Sequence, residues 1–444
     1  MEKLIFDPSK TAGKFKNLNS TNGGPCCKRH CNDQTRSNFN DYKAMRMPYS
    51  RNHDSGTLTI YGGPYSHDIT NIFPNFNADE NDPLSYDFAC TDESILIALD
   101  AGTKTFFRLG QSIEHQIKKH GTIPPKDFHK WARICEHIIR HYTEGWADGY
   151  TLDMPYWEIW NEPDLDPDDC TNKRTWGGTK AEFFDFYEIA AKHLKKCFPH
   201  LKIGGPALAG YEKWGEEFLC EMKKRSVPID FFSWHIYEST PEFIEKKAYR
   251  MRDIIDRSGY PNAESILNEW NYVKGWIDEF KYSVKVIHGI KGAAFTMAVI
   301  SRMQYAPVDM LMYYDTRPSV FNGAFDYYTY EPLKGYYPLK WYGEFYDYDC
   351  AVPSVNEVKD IYSLCGKRDD GSFIAAITYY TDDDCADAKT VRLDFGTAEV
   401  EEAYLLDASH DGTPVTPPDG LVFTFNPNSV LLLKGKLISD TGNK

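Results

Sequence analysis

A (β/α)8 barrel, the TIM-barrel class of α/β fold, followed by a smaller C-terminal β-sandwich domain is what this sequence predicts, and three features predict it. Short apolar runs of strand length alternate with helical stretches through about residue 345, the pattern of parallel strands buried on both faces. Two of those runs, 156–162 and 265–272, carry Asn-Glu beside Trp, and the glutamates Glu162 and Glu269 stand 107 positions apart (269 − 162). At roughly 30 residues per βα unit, that gap is about three units, which sets both carboxylates at one mouth of a barrel on strands that face each other. Beyond residue 345 the helical period gives way to strand-like runs separated by Asp, Gly and Pro turns. The expected organisation is a barrel over 15–345 and a β-sandwich over 346–444, joined by an N-terminal arm, 1–14.

Taken in order, 15–20 reads as the first strand and stops at the break Gly23-Gly24-Pro25. The second strand is 47–53. Side chains alternate along a strand, so Arg51 and His53 share a face and project into the mouth, whereas Arg46, five positions before Arg51, points the other way. The segment 61–88, rich in Gly, Pro, Asn and Asp, is an excursion over the barrel top, where lids and walls are built. A helix begins at 94–99 and 103–109 is the third strand, with Glu114 beyond it as a solvated loop acid. Over 125–143, Phe128, Trp131, Ile134, Cys135, Ile138, Ile139 and Tyr142 recur at helical spacing and cover the barrel.

The fourth strand leads to Glu162 and then to Asp164, Asp166, Asp168 and Asp169. The Gly turn and distal Glu of a calcium loop are missing, so a solvated acidic loop is expected. Thr179-Lys180-Ala181-Glu182 is a capping box that opens the next helix. The strands 201–206, 230–237, 265–272 and 310–315 bring the number to eight, and a helix at 339–345 closes the barrel. His235 and Tyr237 share a face at the end of the sixth strand, which places both at the mouth and Tyr237 to hydrogen-bond Glu269. Tyr313, Tyr314, Asp315 and Arg317 on the eighth are candidates for the pocket floor.

A net charge of −15 argues against nucleic-acid or anionic-membrane partners. The first residues lack the apolar core of a signal peptide and no apolar run reaches membrane-spanning length, so a cytoplasmic location is expected. The 11 cysteines are odd in number and irregularly spaced, as reduced thiols are. The cluster Cys26, Cys27, His30 and Cys31 has no second ligand pair at finger spacing, and no metal is expected there. An aromatic content of 15% suits a site that stacks flat ligands as well as it suits a large core.

Chemistry enters at Glu162. A carboxyl held against indole rings is partly desolvated, which raises its pKa and keeps it protonated near neutrality, as a proton donor requires. Glu269 supplies the second carboxylate, and two carboxylates facing across a cleft suit glycoside hydrolysis. The stretch Trp160-Asn161-Glu162-Pro163, with the later Asn268-Glu269-Trp270-Asn271, resembles the clan of retaining glycosidases built on (β/α)8 barrels. Within it the chain most resembles glycoside hydrolase family 39, which holds β-xylosidases and α-L-iduronidases. Arg51-Asn52-His53-Asp54, Phe107-Arg108-Leu109-Gly110 and Ser233-Trp234-His235-Ile236-Tyr237 support the likeness, which spans about 15–345. The 268–271 stretch departs from the Thr-Glu-Phe form common among the family's xylosidases, and that departure bears on the substrate more than on the mechanism.

The resemblance implies that Glu162 is the acid/base and Glu269 the nucleophile, with carboxyl groups about 5 to 5.5 Å apart, against 6.5 Å or more in inverting enzymes. It also implies that Arg51 bonds the nucleophile and that His53 holds a sugar hydroxyl. Asn161, His235, Tyr237, Trp270 and Tyr314 complete the expected substrate-binding set. Arg51 and Tyr237 should keep the Glu269 pKa low. No metal and no organic cofactor are called for, the partner is an oligosaccharide or glycoside, and a homo-oligomer is open. Exo-acting cleavage of β-xylosides is the leading expectation. The alternatives are an α-L-iduronidase-like activity with Arg317 as the fixed cation, other β-glycosides, arabinose-containing oligosaccharides, or a non-catalytic sugar-binding protein on the same scaffold.

Overall fold

Eight parallel strands close a barrel in a computed structural model of the chain, in which residues 2–27, 37–54, 65–317, 319–356, 358–417 and 419–438 are described. Strand β1 (Glu2–Phe6) precedes them. The staves are β2 (Asn17–Asn22), β3 (Tyr49–Arg51), β4 (Lys104–Leu109), β5 (Tyr156–Ile159), β6 (Lys202–Leu208), β7 (Phe231–Tyr237), β8 (Glu264–Asn271) and β9 (Met310–Tyr313). Short helices α1 (Phe39–Ala44) and α2 (Ile69–Ile72) lie in the first two connections, and α3 (Ala89–Asp100) follows. The outer ring continues with α4 (Phe128–Thr143), α5 (Lys180–Cys197), α6 (Glu212–Lys224), α7 (Pro241–Arg257), α8 (Phe280–Ile287), α9 (Ile290–Met303) and α10 (Tyr336–Phe345).

The barrel interior is built in layers two residues deep, because every second side chain of a strand points inward. The lower layer is apolar: Tyr49, Phe106, Tyr156, Phe231 and Ile266 pack together with Met310 and Met312. Two positions further along each strand the same face carries Arg51, Arg108, Glu158, Ser233 and Asn268, none of them accessible to solvent. The polar layer that supports the mouth thus follows from strand periodicity alone. Between β5 and β6 the approach is close. Gly205 adopts φ +130°, and a Cβ there would lie 2.8 Å from the Ile159 carbonyl oxygen, so glycine alone fits below the turn that carries Glu162.

Helix starts obey local chemistry. Asp127 caps α4 by accepting from the Lys130 N–H at 3.0 Å, and Thr179 and Glu182 form the reciprocal capping box of α5.

Two further sheets pack as a sandwich. Its strands are β10 (Cys350–Val352), β11 (Ser354–Asn356), β12 (Ile361–Lys367), β13 (Ser372–Tyr379), β14 (Lys389–Asp394), β15 (Ala398–Leu406), β16 (Asp411–Val415), β17 (Val422–Phe425) and β18 (Ser429–Leu437). One sheet runs β11-β1-β14-β17 and the other β10-β12-β13-β18-β15-β16. The N-terminal strand β1 lies between β11 and β14, parallel to the latter, and buries Leu4 and Phe6 in the sandwich core. The strand-like runs of the sequence, 373–378, 390–395, 399–405, 421–425 and 429–433, correspond to β13, β14, β15, β17 and β18, and leave out β10, β11, β12 and β16. Strands such as β11, Ser-Val-Asn, and β16, Asp-Gly-Thr-Pro-Val, exist because a neighbour pairs with them, not because of an apolar alternation of their own.

Helix α9 is buried along nearly its whole length, packed against the barrel helices on one side and β12 and β13 on the other. Polar ties reinforce the contact: Tyr380 Oη donates to the Ser239 carbonyl oxygen at 2.5 Å, and Tyr272 Oη donates to Asp382 at 2.6 Å. Both ties reach the loops that leave β7 and β8. Among the described residues no single helix is long and apolar enough to cross a membrane. Among the described residues Cys26 and Cys27 take part in no disulfide, while His30 and Cys31 lie outside the described residues, as do 61–64 of the segment over the barrel top.

Candidate active site

Arg51 is the hub of the polar layer. Its Nε donates to Glu158 Oε2 at 2.7 Å, Nη1 to Glu269 Oε1 at 2.7 Å, and Nη2 to Asn161 Oδ1 at 2.6 Å. Glu158 also accepts from Ser233 Oγ at 2.6 Å and from Asn268 Nδ2 at 2.5 Å. A guanidinium with no access to water needs such partners, and the rigid fork of arginine reaches both glutamates without strain.

Glu162 stands past the end of β5 in a strained turn. Trp160 and Glu162 adopt φ +72° and +46°, left-handed values that cost an ordinary residue about 1–3 kcal/mol each and persist where surrounding contacts impose them. Those contacts are present. The Glu162 N–H donates to the Ala207 carbonyl at 2.9 Å, the Glu162 carbonyl accepts from Thr175 Oγ1 at 2.6 Å, and Trp160 Nε1 donates to the Thr175 carbonyl at 2.9 Å. The turn rotates the Trp160 ring out of the barrel, onto Trp131, Trp176 and Phe186. The indole expected beside the carboxyl is therefore elsewhere. Desolvation in the mouth itself pushes the Glu162 pKa up to about 7, with Arg51 opposing.

Glu269 reaches the mouth through a β-bulge. Opposite β7, Trp234 pairs with Leu267 and His235 with Glu269, so Asn268 is skipped. Asn268 and Glu269 consequently both reach the interior, and the alternation restarts with Trp270 facing out. Tyr237 Oη donates to Glu269 Oε2 at 2.8 Å. The Nδ1 of His235 lies 2.7 Å from Glu162 Oε1 and 3.5 Å from Glu269 Oε2, and the three groups fall within 4.8 Å of one another. Burial lowers the His235 pKa to about 4, leaving a neutral ring between the carboxyls.

A sequence profile of glycosyl hydrolases family 39 matches residues 3–318, well over half of the chain. The chain belongs to that family. A beta-xylosidase of Geobacillus stearothermophilus is 30% identical over 175 residues, which cover 34% of this chain and 33% of the relative. A second, from Caldicellulosiruptor saccharolyticus, is 32% identical over 168 residues, covering 36% and 33%. The chain thus spans about a third of the length of the curated relatives it matches. Among solved structures, a glucosidase from Croceicoccus marinus aligns over 99% of both chains, with a TM-score of 0.77 at 22% identity. A monomeric beta-xylosidase from Caulobacter crescentus CB15 aligns over 99% of this chain and 100% of that one, with a TM-score of 0.69 at 16% identity. At such identities the likeness establishes the shared fold.

In this family 39 chain the expected site residues separate into three groups. Glu162, Glu269, Arg51, Asn161 and Tyr237 form one hydrogen-bonded cluster with His235. His53 lies beside it, with Nε2 at 3.4 Å from Asp54 and 3.8 Å from Glu269, and Tyr314 Oη donates to Asp54 Oδ2 at 3.3 Å on the rim. Trp270 is not part of the mouth: its indole is buried against Phe295 of α9 and Tyr313, the consequence of the bulge at Asn268. The His235 ring is fully buried and its Nδ1 faces the carboxyls.

Three electrostatic expectations change as well. Burial raises the Glu269 pKa, outweighing the Arg51 charge and the Tyr237 hydrogen bond, both of which lower it. The acidic loop is not simply solvated: Asp164 is buried, accepts from the N–H groups of Ala209 and Tyr211, and is pushed up to about 7 by desolvation, while Asp166 is forked by Arg174. Glu114 is half-buried and accepts from the N–H groups of His120, Gly121 and Thr122, which draw its pKa down against burial. Arg317 forks onto Asp315, at 2.7 and 2.6 Å, and also bonds the Asp54 carbonyl.

Sequence reasoning missed Glu158, Ser233 and Asn268. A charged residue inside the apolar run Tyr156-Trp157-Glu158-Ile159 is itself a signal, because a buried carboxylate requires a cation. Glu162, His235 and Glu269 offer atoms close enough to hold a divalent ion, as do Glu136, His193 and Cys197 between α4 and α5. In the first group Arg51 already supplies positive charge to Glu269. Two surface cavities lie away from the carboxylates, one at the opposite end of the barrel beside Arg46 and Tyr346, the other between α7, α9 and the sandwich.

Proposed function

We propose that the chain is a retaining glycoside hydrolase that removes a terminal xylosyl unit by double displacement. The observation that carries this reading is that one oxygen of Glu162 and one of Glu269 come within 4.8 Å of each other, a spacing that suits direct attack on a sugar carbon better than the wider gap of inverting enzymes.

An oxygen of Glu269 attacks the anomeric carbon as the glycosidic C–O bond breaks, and Glu162 delivers its proton to the departing oxygen. Neutral His235 holds Oε1 of Glu162, leaving Oε2 to carry that proton. Arg51 and Tyr237 fix the two oxygens of Glu269. Once Glu269 is an ester it carries no charge, so Glu162 loses a negative neighbour, its pKa falls, and it becomes the base that takes a proton from the incoming water. The water oxygen then bonds to the anomeric carbon and Glu269 leaves.

The xylosidase relatives favour a xyloside. A uronide is disfavoured because Arg317 is already neutralised by Asp315. A panel of nitrophenyl glycosides tests the reading, with the anomer of the first product followed by NMR. Turnover with retention is expected. An inverted product, or no turnover anywhere on the panel, sinks it; the latter outcome favours a non-catalytic sugar-binding role.

A further inference from the structure

One aromatic side chain at the mouth has no part in that scheme. Trp276, on the loop leaving β8 and seven residues beyond Glu269, is 57% exposed. It is nevertheless braced. The indole stacks on Phe280 with centroids 6.0 Å apart and planes 16° apart, meets Phe321 at 6.0 Å, and meets Tyr237 edge-on at 5.2 Å. Tyr237 is the ring whose hydroxyl holds Glu269, so the indole stands one ring away from that carboxylate. The loop itself is anchored: the Lys274 N–H donates to Ser283 Oγ at 2.9 Å, and Lys274 Nζ pairs with Asp382 of the sandwich at 2.9 Å.

What sets this ring apart from a lone exposed aromatic is that three aromatic neighbours hold it at the mouth, with its outer side open to accept a flat apolar partner. The reaction path says what that partner is. A sugar held between Glu162 and Glu269 must send its leaving group outward through the open mouth, which the β8 loop borders. The carbon-bearing face of a pyranose ring matches an indole in size and polarity. We propose that Trp276, backed by Phe280 and Phe321, is the platform on which the leaving-group sugar stacks, so that the substrate is an oligosaccharide in preference to a glycoside of a small alcohol. The inference rests on the glycosidase reading above and names the second sugar unit that it leaves open.

The test compares β-xylosyl fluoride with xylobiose, which share the transferred sugar and differ in the leaving group. Trp276→Ala should raise KM for xylobiose about tenfold, leave kcat within about twofold, and leave kcat/KM for the fluoride unchanged; Trp276→Phe should restore most of the loss. An equal fall on both substrates, or no change on either, overturns the platform. Calorimetry of xylobiose on the Glu269→Gln protein, with and without Trp276→Ala, reads the platform without turnover. About tenfold weaker binding supports it, and equal or absent binding overturns it. Failure of turnover alone falls on the glycosidase reading instead.

Discussion

His235 Nδ1 lies 2.7 Å from Oε1 of Glu162, and both groups titrate away from their ordinary values because both are largely removed from water, His235 completely and Glu162 in part. The neutral imidazole orients the carboxyl without placing a full positive charge against it, which would pull its pKa back down.

The pH profile should show this directly. Glu162 must be protonated to act, so kcat/KM should fall as pH rises through about 7. Glu269 must be ionised, and since burial raises its pKa, activity should also be lost on the acid side, above the usual glutamate range. The folded state retains a proton on Glu162 that the unfolded chain releases near 4.5, so this group weakens folding as pH rises from about 4.5 to 7. A flat profile across pH 7 would remove Glu162 as the acid.

Removing the two carboxylates should have unequal effects. Glu162→Ala should cost about 10²- to 10⁴-fold on an alkyl glycoside, spare substrates with good leaving groups, and respond to added azide. Glu269→Ala should be inactive on all of them. Equal losses on both substrate types would undo the assignment.

Tyr237→Phe removes the hydroxyl that donates to Glu269 at 2.8 Å. A hydrogen bond to a charged group contributes about 1.5–3 kcal/mol, so kcat/KM should drop roughly 10- to 100-fold with the fold intact. The acid limb of the pH profile should also move upward, a shift that loss of packing alone would not produce.

Glu158→Ala leaves the guanidinium of Arg51 without its innermost partner in a site closed to water. Breaking a buried pair costs about 3–5 kcal/mol, so denaturant unfolding should show a loss of that size. A change below about 1 kcal/mol would mean that Glu158 is not needed to hold Arg51.

The barrel was legible because its signals are local. Each apolar run states its own burial, the capping box at Thr179 announces the start of α5, and the Asn-Glu pairs at 161–162 and 268–269 single out the two strands that carry the carboxylates. Glu158 was overlooked since its cation sits 107 positions earlier (158 − 51) and no local pattern joins them. Trp270 and Trp160 were misjudged for a different reason: one skipped residue at Asn268, and one left-handed residue at Trp160, each reverse the face to which a side chain belongs.

The spacing of the strand-length runs and the two Asn-Glu pairs by themselves placed two glutamates together at the barrel's carboxyl end. Only the closed tertiary structure decided which oxygens touch, that His235 lies between the carboxyls, and that burial outweighs Arg51 at Glu269. Alternation is a property of neighbouring residues, whereas desolvation and charge pairing depend on distances across the barrel that no neighbouring residue encodes.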